Sequence, residues 1–143
     1  MKNKDKLIID RYTQPIFYPT DLYVVKNGTK KDIQDLFLWA DECEVADDEV
    51  SDCGQGMTYS IMVKKDDPDK RFCVVIQLFT DNFDKSDKNS WIDVISHEAN
   101  HAAFRILDHC NIKLTDDTTE VFAFMQGWIT KCVYETLKKK SNE

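Results

Sequence analysis

Between Trp91 and Leu107 the apolar residues Trp91, Ile92, Val94, Ile95, Ala99, Ala102, Ala103, Phe104, Ile106 and Leu107 recur at helical spacing, and the polar pentad His97-Glu98-Ala99-Asn100-His101 sits inside that run. So many apolar positions predict a largely buried helix. Any fold for this chain must therefore place two imidazoles and a carboxylate either in its core or in a cleft beside it. Four residues advance an α-helix by about 400°, so His97 and His101 project from one face about one turn apart, close enough to share a metal ion. Glu98 stands beside that axis, a position suited to taking a proton from metal-bound water rather than to binding the metal. Ser90, just before the run, is the expected N-cap. With three His and seven Glu in 143 residues, a shuffled chain shows this His-Glu-x-x-His spacing roughly once in five hundred. The competing structural reading is a pair of hydrogen-bonded core histidines with Glu98 as partner.

Eighteen residues separate His101 from Glu120, a gap that fits the rest of one helix, a turn and the start of the next. Glu120 is the candidate third zinc ligand. The stretch Asp117-Thr118-Thr119-Glu120 also reads as a capping box, with Glu120 reaching back to the backbone of Asp117. A carboxylate in a first helical turn gains from the helix dipole in either role. Asp116 and Asp117 lie nearer the expected turn, and Glu135 falls about 22 Å further along the helix axis.

His97-Glu98-x-x-His101 with a downstream Glu120 resembles the gluzincin branch of zinc metallopeptidases, most of all the compact minigluzincin type and small metallopeptidases encoded in phage and prophage genomes. There a Glu-x-x-Ala stretch such as Glu120-Val121-Phe122-Ala123 opens the last helix. The resemblance covers about the last fifty residues and is specific at four positions. It implies His97, His101 and Glu120 as zinc ligands and Glu98 as general base in peptide-bond hydrolysis. The metzincin pattern does not apply, because Phe104 and Leu107 stand where that family has Gly and a third His. Several gluzincins place an Asp four residues after the Glu ligand to orient a His; here that position is Phe124.

The length predicts a single domain over 1–143, with a polar arm at 1–12 and a polar tail at 138–143, large enough for a core but too small for a separate specificity domain. A net charge of −7 argues against a nucleic-acid-binding surface. Lys138, Lys139 and Lys140 read as a solvated helix end. The charged start leads to only three apolar residues and no run approaches membrane-spanning length, so neither a signal peptide nor a membrane segment is expected. Five cysteines without a C-x-x-C suggest a reducing compartment and hence a cytoplasmic location, with Cys73, Cys110 and Cys132 as core thiols. Cys43 and Cys53 flank an acidic loop.

The expected order is α+β, a compact zincin-like core. A strand around Leu22–Val25, within residues 16–25, ends at the turn Asn27-Gly28. Thr29 then caps a backing helix, with Asp32 three residues on and Ile33, Leu36, Phe37 and Ala40 as its buried stripe. Residues 41–56 read as a long acidic loop. Residues 57–63 and 72–79 form a hairpin about Asp67-Pro68-Asp69, residues 80–89 lead to the metal helix, and residues 116–139 form the final glutamate helix. In such a core a peptide can add as a strand at a sheet edge beside the metal. Tyr59, Tyr23, His109 and Tyr134 are candidates, by chemistry alone, for stabilising an oxyanion. Zinc-dependent cleavage of a peptide or protein substrate is the leading expectation. The alternative is a non-catalytic, zinc-containing binding or assembly protein, phage-derived, that keeps the metal site. Glu98 discriminates the two, since a structural site needs no base beside its ligands. A helical partner-binding domain without metal is the third class.

Overall fold

The computed structural model describes residues 7–13, 20–87 and 89–140. It is α+β: a mixed five-stranded sheet with three helices. In chain order these are β1 (Ile8–Thr13), β2 (Asp21–Lys26), α1 (Lys30–Leu36), β3 (Phe37–Trp39), β4 (Gly56–Lys64), β5 (Phe72–Leu78), α2 (Ser90–His109) and α3 (Thr119–Lys138). The strands lie side by side as β1-β2-β5-β4-β3. Only β2 and β5 are parallel; every other neighbouring pair is antiparallel.

The two parallel central strands carry near-continuous apolar runs because they are covered on both faces. Leu22, Val24, Val74, Ile76 and Leu78 point to one side, where they pack with Ala99, Ala102, Ala103, Ile106 and Leu107 of α2 and with Met125, Ile129 and Val133 of α3. Tyr23, Val25, Cys73 and Val75, alternating with them, point to the other side and pack with Ile33 of α1, Phe37, Val45 and Val50. Gln77 is the polar member of that second face. Its amide donates to the Gly28 carbonyl at 3.0 Å and accepts from the Tyr59 hydroxyl at 2.6 Å, so its complete burial leaves nothing unpaired.

Several elements differ from the sequence expectation for identifiable reasons. Ile8–Thr13, read as part of a polar arm, form β1. Its pairing is reinforced where Arg11 Nε donates to the buried Asp21 carboxylate at 2.8 Å. The backing helix begins as expected, with the Thr29–Asp32 capping box in place. It stops at Leu36, however, because Phe37 turns into β3 and pairs with Lys64, so Phe37 is a buried strand residue and Ala40 lies in a turn. The acidic loop holds one short 3-10 turn at Asp47–Glu49. Ser90 is the first residue of α2 rather than its cap. Asn89 is the N-cap, and the Ser90 hydroxyl instead donates to the carbonyls of Asp84 and Asp87, fastening the preceding loop. Residues 1–6 of the expected arm, 16–19 ahead of the first expected strand and 141–143 of the expected tail lie outside the described residues. All five cysteines are free thiols, with Cys73 and Cys132 buried and Cys110 half-buried. No helix among the described residues is long and apolar enough to cross a membrane.

Candidate functional site

The twenty residues of α2 present three sides. One carries the core residues. A second, with Val94 and Glu98, lies against the start of β4. The third, with His97 and His101, is open to solvent. The two imidazoles meet edge to face, with ring centroids 4.8 Å apart and their Nε2 atoms 3.1 Å apart. Two nitrogens bound to one tetrahedral zinc at 2.0–2.1 Å stand about 3.3 Å from each other. The observed 3.1 Å is a hydrogen bond between the two rings and lies close to that spacing.

Glu98 is 5 % exposed. A buried carboxylate needs a partner, and the Thr58 hydroxyl of β4 supplies one, donating to Oε2 at 2.6 Å. The side chain reaches that position only because residue 56 is glycine. A Cβ there would stand 2.9 Å from Glu98 Cγ and 3.1 Å from both Cδ and Oε1. Glu98 thus lies under the start of β4, next to the first histidine, and the two line the same cleft. Gln55, Gly56, Asp93, Val94, His97 and Glu98 line an open cleft of about 270 Å³.

The upper wall of this cleft is a free strand edge. β3 covers β4 only at Met62–Lys64, and the Ala40 amide adds one bond to the Ile61 carbonyl. Among the described residues nothing pairs with the outer edge of Gly56–Ser60. The Phe79 amide donates to the Gln55 carbonyl, which fixes the phase of the β4–β5 ladder: Met57 and Tyr59 bond toward β5, while the main-chain groups of Gly56 and Thr58 face outward. An extra residue on β4 between Tyr59 and Met62 then shifts the register, so Thr58 and Ile61 share the face toward α2 while Tyr59 and Met62 share the other.

Glu120 is not brought to the histidines. Trp91 and Tyr134 line one cavity and the rings of Phe104 and Phe122 lie 5.0 Å apart, so α2 and α3 run antiparallel. In that register His101 is level with Phe124 and Met125. Glu120 is level with Ile106, about five residues or 7.5 Å further along. It also precedes Phe122, which packs on α2, by two residues or about 200° of helix, and so stands on the exposed face of α3. Among the described residues no three His, Cys, Asp or Glu side chains form a group able to hold a metal ion. The Asp117–Glu120 capping box does not form either. Thr118 is the N-cap, its side chain gives the helix no capping bond, and its hydroxyl donates instead to the Lys113 carbonyl at 2.6 Å.

The oxyanion candidates also separate. Tyr23 and Tyr59 belong to the core on the far side of the sheet from α2, where burial pushes both phenols up to about 12. Tyr134 shares a separate cavity with Trp91 at the first turn of α2. His109 Nδ1 is bonded to the Thr20 hydroxyl at 2.6 Å, and its ring meets Phe72. The sequence reading missed Gly56, Thr58 and Asp93. No spacing rule connects β4 to α2, although a glycine opening a strand is a local signal of close approach. No family model, curated protein or solved structure matches this chain.

Proposed function

We propose that the chain is a zinc-dependent peptide hydrolase whose substrate binds as an added strand on the outer edge of β4. The observation that carries this is the placement of His97, the buried Glu98 and the unpaired edge of β4 around one cleft, with His101 beside His97 one helical turn on. A strand laid on that edge would bond to the outward main-chain groups of Gly56 and Thr58, which brings a backbone carbonyl across the cleft above Glu98. His97 and His101 would hold the metal. A zinc ion in such a site supplies a water of near-neutral pKa and polarises the carbonyl. Glu98 takes a proton from the attacking water and passes it to the departing amine. Its burial under Gly56 holds it in place, and the Thr58 hydroxyl fixes one oxygen, leaving the other for the proton.

Glu120 is the third donor that the gluzincin resemblance supplies. For its carboxylate to reach the pair, the first turn of α3 has to turn by about half a revolution and also close the axial offset of about 7.5 Å. That turn lacks a side-chain cap, which lowers the cost of such a change. The present position of Glu120 favours a second reading: a non-catalytic zinc-containing binding or assembly protein that uses the exposed histidines alone. The composition suits a reducing, cytoplasmic setting for either.

Glu98→Gln decides between them. It keeps size and hydrogen bonding but removes the base, so zinc content should stay at wild-type level while hydrolysis of a peptide library falls by about 10²-fold or more. Loss of zinc from Glu98→Gln would make Glu98 a ligand and overturn the assignment. Absence of any zinc-dependent cleavage by the wild type would leave the binding-protein reading.

A further inference from the structure

β4 and α2 run in the same direction along the cleft. Gly56 adjoins Asp93, Val94 and Glu98 at one end, while Ser60 and Ile61 share a cavity with Arg105, Asp108 and His109 at the other. The two ends differ in charge. At the Ser60 end an arginine, an aspartate and a histidine stand together, and their charges offset. At the Gly56 end Asp93 is exposed, one helical turn before His97, and among the described residues no Lys or Arg pairs with it. The other carboxylate there, Glu98, is buried against Thr58. A whole-chain charge of −7 adds to the negative potential at that end.

Building on the strand-addition reading, we propose that Asp93 is a specificity residue that selects a Lys or Arg side chain just C-terminal to the bond presented to Glu98. The direction follows from the edge. Gly56 and Thr58 each offer an N–H and a C=O outward, and β3, which already occupies the far part of that edge, is antiparallel to β4 as β5 is, so a ligand that continues the line of β3 is antiparallel too. An antiparallel ligand enters beside Ser60 and leaves beside Gly56, so residues following the bond meet Asp93. One helical turn is about 5.4 Å and a strand advances about 3.4 Å per residue, which places the cation on the first or second residue after the bond. The shared chemistry is an ammonium or guanidinium on a carboxylate, and a reversed ligand would offer its terminal amine there instead.

The test is binding, not turnover. Fluorescent hexapeptides, acetylated and amidated to remove terminal charge and carrying Lys, Ala or Glu at each position in turn, are titrated by anisotropy into zinc-loaded Glu98→Gln protein and into metal-free wild type. Lys at one position should bind about five- to tenfold tighter than Ala, with Glu weaker still. That preference should vanish in Asp93→Asn, turn to Glu in Asp93→Lys and shrink as salt rises. Thr58→Pro removes an outward N–H that β5 does not use and should abolish binding of every peptide. Peptides that bind in a Thr58→Pro-sensitive way with no charge preference, or with one that survives Asp93→Asn, refute the role of Asp93 and leave strand addition standing. Asp93-dependent binding confined to peptides with a free amino terminus refutes the assigned direction. Binding that ignores Thr58→Pro, or no binding at all, overturns strand addition and this inference together.

Discussion

Gly56→Ala is the sharpest test of the site, because it perturbs Glu98 without touching it. Gly56 has an ordinary strand backbone, so alanine costs nothing in φ and ψ and the effect is steric. The new Cβ would lie 2.9 Å from Glu98 Cγ, against ordinary contacts of 3.4–4 Å, so the glutamate or the strand must move by about 0.5–1 Å. Overpacking of this kind costs about 1–3 kcal/mol. In a Glu98→Ala background Cγ, Cδ and Oε1 are gone, and the same substitution should cost close to nothing. Urea unfolding of the four proteins, followed by circular dichroism, gives a double-mutant cycle with an expected coupling of at least about 1 kcal/mol. Any hydrolytic activity of Gly56→Ala should fall by about 10²-fold, as a displacement near 1 Å of a positioned group commonly does. Zinc stoichiometry should not change, since the atoms the new Cβ meets belong to Glu98 and not to His97 or His101. A cost below about 0.5 kcal/mol in both backgrounds would refute the placement of Glu98 under β4, because no close contact of that size could then exist.

Purified without chelator, the protein should hold about one zinc per chain by elemental analysis, and His97→Ala or His101→Ala should each abolish stoichiometric binding; unaltered zinc content in either variant removes the pair as ligands. Glu120→Ala should weaken zinc at least tenfold by calorimetry if α3 rewinds to complete the site, whereas unchanged affinity shows that the histidines act without it. In the first case zinc joins α2 to α3, so chelation should lower the melting temperature by several degrees in the wild type and by much less in Glu120→Ala. At high pH, Tyr23 and Tyr59 stay protonated in the fold up to about 12 but ionise near 10 when unfolded. Their contribution to stability is therefore complete below about pH 10 and lost as pH rises toward 12. Denaturant melts across that range should show the decline, and phenolate absorbance from these two residues near pH 10 in protein that is still folded would contradict it.

The helix bearing His97 and His101, the hairpin of β4 and β5, the capped start of α1 and the final helix are all legible in the sequence. Each rests on local rules: apolar period, turn chemistry, a capping box. The histidine pair follows from the same local geometry, because four residues on one helix fix their separation whatever else the chain does. Ile8–Thr13 and Phe37–Trp39 could not be recognised as strands, since their partners lie in other segments and only pairing makes so short a stretch a strand. The burial of Glu98 under Gly56, the bond from Thr58 and the open outer edge of β4 join residues about forty positions apart, and packing alone decides them. Glu120 is the clearest case. The sequence places it at the head of the last helix, but whether it faces the histidines depends on the rotation and register of α3 against α2, which Phe122, Met125 and Ile129 set by burying their own side chains.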